Sequence, residues 1–243
     1  MKEIKQFYSL NFNQIKRKKE KIKFLVFHYT GMKNEKSALK RLSDRNSKVS
    51  CHYLIKKNGS IINLVPDLYV SWHAGISNWK NFRGINKYSI GIEIHNPGHQ
   101  HGYTFFNKKQ INSIKYLSLK LAKKYNFKKK YFLGHSDIAP SRKKDPGEKF
   151  PWEFLSKHEI GIWHSIDKKL LKKFRQKKID NLEKKIFLNS LLKIGYFLRK
   201  NKTYLSLPTI KAFQRRFRPE LINGKIDLEC LEIAKNLVKS GLN

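Results

Sequence analysis

Apolar positions along the chain recur with two distinct periods. "IKFLVFHYT", residues 22–30, is a short apolar run that reads as a strand and ends in His28 and Thr30. "SCHYLIKKNGSIINLV", residues 50–65, is a pair of strand-like runs joined at Asn58-Gly59, a strong hairpin signal. In "YSIGIEIHN" the isoleucines 90, 92 and 94 alternate with Ser89, Gly91 and Glu93, so a strand here sets Glu93 on the face opposite the isoleucines. "KKYFLGH" predicts a further strand that delivers His135 at its C-terminal end. Helical spacing takes over elsewhere. "KSALKRLSDRN" groups Ala38, Leu39 and Leu42 on one side. Residues 107–125 align Ile111, Ile114, Leu117, Leu121 and Tyr125, and Asn107 with Gln110 has the form of a capping box.

Strands and helices therefore mix around one sheet, which predicts an α/β fold whose histidine-bearing strand ends open into loops. Ligands bind at such places. After "FPWEFL" the character changes. Residues 168–178 hold seven basic residues in eleven, and from about residue 185 three short helical patterns follow, with Ile210, Phe213 and Phe217 on one face. The expected organisation is a basic lead-in (1–21), an α/β domain (22–160), a basic linker or exposed helix (161–184) and a small C-terminal helical domain (185–243).

Composition narrows the function classes. The 243 residues are 40% hydrophobic and 13% aromatic, enough for a packed core. The net charge of +35, from 53 Lys+Arg against 18 Asp+Glu, attracts polyanions. Lysine is spread along the whole chain, however, and there is no helix-turn-helix, zinc-finger or RNA-binding signature, so no specific nucleic-acid partner is expected. Cys51 and Cys230 imply no disulfide framework. No signal-like segment or window of membrane-span length occurs, which points to the cytoplasm, with the periplasm or cell envelope as the alternative.

The densest chemistry is "GHSDIAPSRKKDPG", Gly134 to Gly147. His28, His135 and Asp145 offer two imidazoles and a carboxylate, with a fourth position left to water, which is a catalytic zinc pattern. On spacing alone, strand-end histidines with a structural role are the commoner case. Asp137 follows His135 too closely to share its metal and is assigned a turn or a supporting hydrogen bond.

"FLVFHYTG", "SCHYLIKKNGSIINLV", "WHAG", "YSIGIEIHN" and "GHSDIAPSRKKDPG" occur in the order seen in the zinc-dependent type-2 N-acetylmuramoyl-L-alanine amidases, and the chain resembles that family over about residues 22–155. The family is similar in fold to phage amidase-type lysozymes and peptidoglycan recognition proteins. The resemblance implies a mixed central sheet flanked by helices and one zinc ion per chain, held by His28, His135 and Asp145. It implies Glu93 as general base and Lys143 as stabiliser of the developing oxyanion. The reaction implied is hydrolysis of the amide between the muramic acid lactyl group and L-alanine of the stem peptide, so peptidoglycan or a muropeptide is the expected partner.

Trp72, His73 and Asn96 are candidate substrate contacts. Cys51 stands where the phage branch keeps a tyrosine, which favours the Glu93 mechanism; as a fourth zinc ligand it would close the site. His52 reads as core or as a supporting residue. His95, His99 and His101 lie in a Pro/Gly-rich loop that could form a cleft wall. "TIKAFQRRF" followed by "NGKID" resembles a three-helix peptidoglycan-binding domain; the alternative is a helical extension packed on the catalytic domain. Two other readings stand beside the enzyme: a non-catalytic recognition protein of the same fold, and a basic nucleic-acid-binding protein. The sequence leaves open intact wall against soluble anhydro-muropeptides, and the oligomeric state.

Overall fold

Parallel strands covered on both faces carry near-continuous apolar runs, and Phe24–Tyr29 is such a run, paired on both sides within the sheet. The structure, a computed structural model, describes residues 3–4, 8–197 and 206–240. Residues 1–2 and 5–7 of the expected lead-in, and 198–205 and 241–243 of the expected C-terminal unit, lie outside the described residues.

Ten strands are present among the described residues: β1 (Glu3–Ile4), β2 (Phe12–Asn13), β3 (Phe24–Tyr29), β4 (Tyr53–Ile55), β5 (Ile61–Asn63), β6 (Val70–Ser71), β7 (Asn78–Trp79), β8 (Phe82–Arg83), β9 (Ser89–Ile94) and β10 (Phe132–Gly134). Six form the central sheet in the order β1-β5-β4-β9-β3-β10. β4, β9, β3 and β10 run parallel, and β5 returns antiparallel beside β4 as the Asn58-Gly59 hairpin. The helices are α1 (Glu35–Ser43), α2 (Lys108–Tyr125), α3 (His135–Ile138), α4 (Trp152–Ser156), α5 (Lys168–Phe174), α6 (Asn181–Ile194), α7 (Leu207–Phe217) and α8 (Leu228–Lys239). The expected mixed sheet flanked by helices is the fold observed.

The strand alternation divides the core. Leu25, Phe27, Ile90, Ile92 and Ile94 point to one face, where they pack against Ile114, Leu117 and Leu121 of α2. The Asn107–Gln110 capping box starts that helix. Phe24, Val26 and Leu133 point to the other face and share one buried cluster with Phe187, Leu191, Phe213 and Phe217 of the C-terminal helices. Beside them α1 covers Cys51, Leu54 and Ile62. The C-terminal helices are therefore packed against the central sheet. The basic stretch after residue 167 belongs to the same packing. Asp167 caps α5, Leu171 is buried, and Arg175 donates to both oxygens of the buried Glu229 at 2.8 and 2.7 Å. The lead-in is not wholly solvated either: Arg17 is buried and donates to the carbonyls of Asn86 and Asp67.

Candidate metal centre and cleft

Register brings the candidate residues together. β3 pairs with β9 so that His28 lies beside Glu93, and with β10 so that Phe27 lies beside Gly134. His28 and Glu93 thus project from neighbouring strand ends on one face. His135 begins α3 directly after β10, and the loop through Pro140 returns Asp145 to it, with the Ser136 amide donating to the Asp145 carbonyl at 2.8 Å. Gly134 permits this return: a Cβ there would stand 2.8 Å from Pro146 Cδ.

The three side chains converge. His28 Nδ1 is 2.9 Å from His135 Nδ1 and 3.0 Å from Asp145 Oδ2, and His135 Nδ1 is 2.9 Å from the same oxygen. The histidine tautomers follow from the outer partners. The Ser89 hydroxyl donates to the Ile85 carbonyl at 2.8 Å, so Ser89 Oγ accepts from His73 Nε2 at 3.0 Å. His73 Nδ1 is then an acceptor, and His28 Nε2–H donates to it at 2.9 Å. His28 Nδ1 is left with its lone pair facing inward. His135 Nε2 faces only an acceptor, the Ala74 carbonyl, at 3.1 Å, so it carries the proton and its Nδ1 also presents a lone pair. Two neutral imidazole lone pairs and a carboxylate oxygen within about 3 Å, all buried, repel one another unless a cation sits among them. This donor set fits a metal, and among the described residues it is the one group of three or more His, Cys, Asp or Glu so arranged.

The electrostatics agree. Burial, then the neighbouring His135, lower the His28 pKa from 6.5 to about 4, which keeps the ring neutral. Glu93 moves the other way: burial first, and the Asp145 charge second, push it well above an ordinary glutamate, while Lys143 pulls it back. One Glu93 carboxylate oxygen is shielded from solvent and has no hydrogen-bond partner among the described residues.

A cleft of about 390 Å³ opens beside the donors and is lined by two of them, His135 and Asp145. Glu93, Lys143 and Trp72 line it, as do the cations Arg41, Arg142 and Lys144 and the segment from Pro97 to Gln100. Trp72 is half-buried and is steadied by Nε1 donating to Asn13 Oδ1 at 2.7 Å. His73 also borders the cleft, but both its nitrogens are engaged behind His28. Asn96 is not in the cleft lining: its side chain is buried, donates to Thr104 O and accepts from Gly98 N, so it ties the loop rather than facing substrate. The three loop histidines do not converge. His99 is 2.9 Å from the Tyr29 hydroxyl and 3.1 Å from Glu148, His95 sits 3.4 Å from the Thr30 hydroxyl, and His101 is exposed. Cys51 and Cys230 are free and buried, and Cys51 is outside the donor triangle. His52 is fully buried and accepts from the Gly91 amide, a supporting role as expected.

Ser89 and Gly91 were missed as parts of the site, although a glycine within a strand of isoleucines is a signal of close approach. A Cβ on Gly91 would stand 2.4 Å from the His73 ring.

The profile of the N-acetylmuramoyl-L-alanine amidase family matches residues 18–148. The N-acetylmuramoyl-L-alanine amidase AmiD of Escherichia coli is 35% identical over 232 residues, covering 90% of this chain and 83% of the relative. Among solved structures, the complex of AmiD from Escherichia coli with anhydro-N-acetylmuramic acid-L-Ala-D-gamma-Glu-L-Lys superposes with a TM-score of 0.77 at 33% identity, covering 94% of this chain and 92% of that one. AmpDh3 of Pseudomonas aeruginosa, in complex with an anhydromuramic pentapeptide, gives a TM-score of 0.78 at 30% identity and covers 94% of both chains. The likeness extends past the family match into the C-terminal helices.

Proposed function

Since the chain belongs to the N-acetylmuramoyl-L-alanine amidase family, we propose that it is a zinc enzyme that hydrolyses the amide between the lactyl group of N-acetylmuramic acid, or its anhydro form, and L-alanine. The convergence of His28 Nδ1, His135 Nδ1 and Asp145 Oδ2, beside a cleft that His135 and Asp145 line, carries this reading. Two imidazoles and one carboxylate are a donor set typical of catalytic zinc, and zinc bound there supplies Lewis acidity toward a water and toward the scissile carbonyl.

The remaining chemistry belongs to the chain's own groups. Glu93 takes the proton of the attacking water. Its raised affinity for that proton then suits it to hand the proton to the departing L-alanine nitrogen. Lys143 faces the cleft, and its ammonium stabilises the negative charge that develops on the carbonyl oxygen. Arg41, Arg142 and Lys144 make the rim cationic, which suits a stem peptide bearing carboxylates. Trp72 offers an aromatic face to the sugar.

The test is release of stem peptide from purified anhydro-muropeptides and from intact peptidoglycan, before and after chelation and after zinc is restored. Loss on chelation and recovery with zinc are expected. Hydrolysis that persists after complete metal removal contradicts the proposal.

A further inference from the structure

Asp137, the other aspartate of the loop that carries Asp145, is buried two residues after His135, and two of its partners come from the C-terminal unit, Tyr196 just after α6 and Arg216 on α7. Its Oδ1 accepts from the Tyr196 hydroxyl at 2.8 Å. Its Oδ2 accepts from the Gly134 amide at 2.8 Å and from the guanidinium of Arg216 on α7. Arg216 also donates to the Phe132 carbonyl at 3.0 Å, and its guanidinium lies 4.1 Å from the centroid of the Trp152 ring. One side chain therefore holds both the strand that delivers His135 and the turn that follows it.

Its neighbour Arg215 reaches the other end of the same loop. Arg215 Nε lies 3.7 Å from Glu148 Oε2, three residues after Asp145, and Glu148 in turn holds His99 of the cleft wall. Two consecutive arginines of α7 thus straddle the segment that carries two of the three metal donors. Burying an arginine and an aspartate together is unfavourable unless each meets the other and its spare hydrogen-bonding groups are satisfied; both oxygens of Asp137 are, and of Arg216 only Nε has no partner among the described residues.

We propose that the C-terminal helices are a built-in brace of the metal site, with Arg216 and Tyr196 as positioning residues that hold the His135–Asp145 loop in its ligating geometry. This inference rests on the zinc reading above. A loop ordered beforehand loses little freedom on binding the ion, so loosening the brace weakens zinc binding even where the fold survives.

Zinc affinity of the full chain is measured by competition with a chromogenic chelator, alongside thermal unfolding of the metal-free protein. The variants are Tyr196→Phe and the double variant Asp137→Asn with Arg216→Gln. The double variant removes both charges together, so neither is left buried alone. It is expected to bind zinc at least about tenfold more weakly than the unaltered chain. Tyr196→Phe removes one hydrogen bond and no charge, and is expected to weaken zinc about threefold, which keeps the test open if the double variant does not fold. A purely structural role would lower the metal-free unfolding midpoint and leave zinc affinity unchanged; that outcome in a folded variant overturns the brace. Failure of the unaltered chain to take up one zinc overturns the zinc reading itself, and the brace with it.

Discussion

His28 and His73 stand 2.9 Å apart, Nε2 to Nδ1, and that one hydrogen bond decides which nitrogen of His28 is free for a metal. The direction is inherited from Ser89, whose own proton is committed to the Ile85 carbonyl. His73→Leu leaves the His28 Nε2–H without its acceptor in a buried site. Zinc affinity should fall by about 10–100-fold. Equilibrium chelator competition measures it, and an affinity equal to that of the unaltered chain would remove His73 from this role.

Gly91 makes the room that His73 occupies. Gly91→Ala puts a methyl group 2.4 Å from the ring, which must shift or rotate away. The expected cost is about 1–3 kcal/mol in unfolding free energy, accompanied by weaker zinc binding because the His28 partner moves. Urea unfolding with and without zinc separates the two effects.

Glu93 and Lys143 are assigned to the chemistry and stand apart from the donor triangle. Glu93→Gln keeps the shape but removes the base, so kcat should fall by about 10²–10⁴-fold with zinc affinity retained. Lys143→Met should lower kcat by about 10²–10³-fold. It should also move the acidic limb of the rate profile to higher pH, because Lys143 holds the Glu93 carboxyl down and its loss lets that pKa rise. A limb that stays in place, or moves to lower pH, would count against Glu93 as the base.

Stability of the metal-free chain should fall as pH drops below about 6.5. Burial lowers His28 to about 4, His52 to about 3 and His73 well below its ordinary value, so the unfolded chain binds three more protons than the native chain in that window. Glu93 acts in the opposite sense. Its raised pKa has the native state hold a proton that the unfolded state releases above about 4.5. These three histidines less one carboxyl leave a net two protons, a contribution of about 2.7 kcal/mol per pH unit between roughly 4.5 and 6.5, and His95 and His164, also lowered by burial, add in the same sense. Unfolding midpoints that are flat from pH 7 to 5 would refute the neutral, buried assignment of these rings.

Much of the α/β part was legible because its signals are local. Alternation in "YSIGIEIHN" placed Glu93 away from the isoleucines, and it lines the cleft while they pack under α2. The Asn107–Gln110 box and the Asn58-Gly59 hairpin stand where the pattern put them. Asn96 went astray because its side-chain partners, Gly98 and Thr104, are set by how the following loop folds back, which residue type does not reveal. His73 borders the cleft, but nothing local to "SWHAG" shows that His28 and Ser89 engage both its nitrogens.

By itself the sequence determined the strand and helix periods, the strand ends that carry His28 and His135, and the ordered motifs that identify the family. Those depend on side-chain spacing within single elements. Only the tertiary structure decided that His28 and His135 turn their Nδ1 lone pairs toward Asp145, because that depends on Ser89, His73 and the Ala74 carbonyl, contributed by other segments. It alone decided that Asp137 is gripped by Tyr196 and Arg216. A buried charge needs its counter-charge close by in space, and separation along the chain places no limit on where that partner comes from.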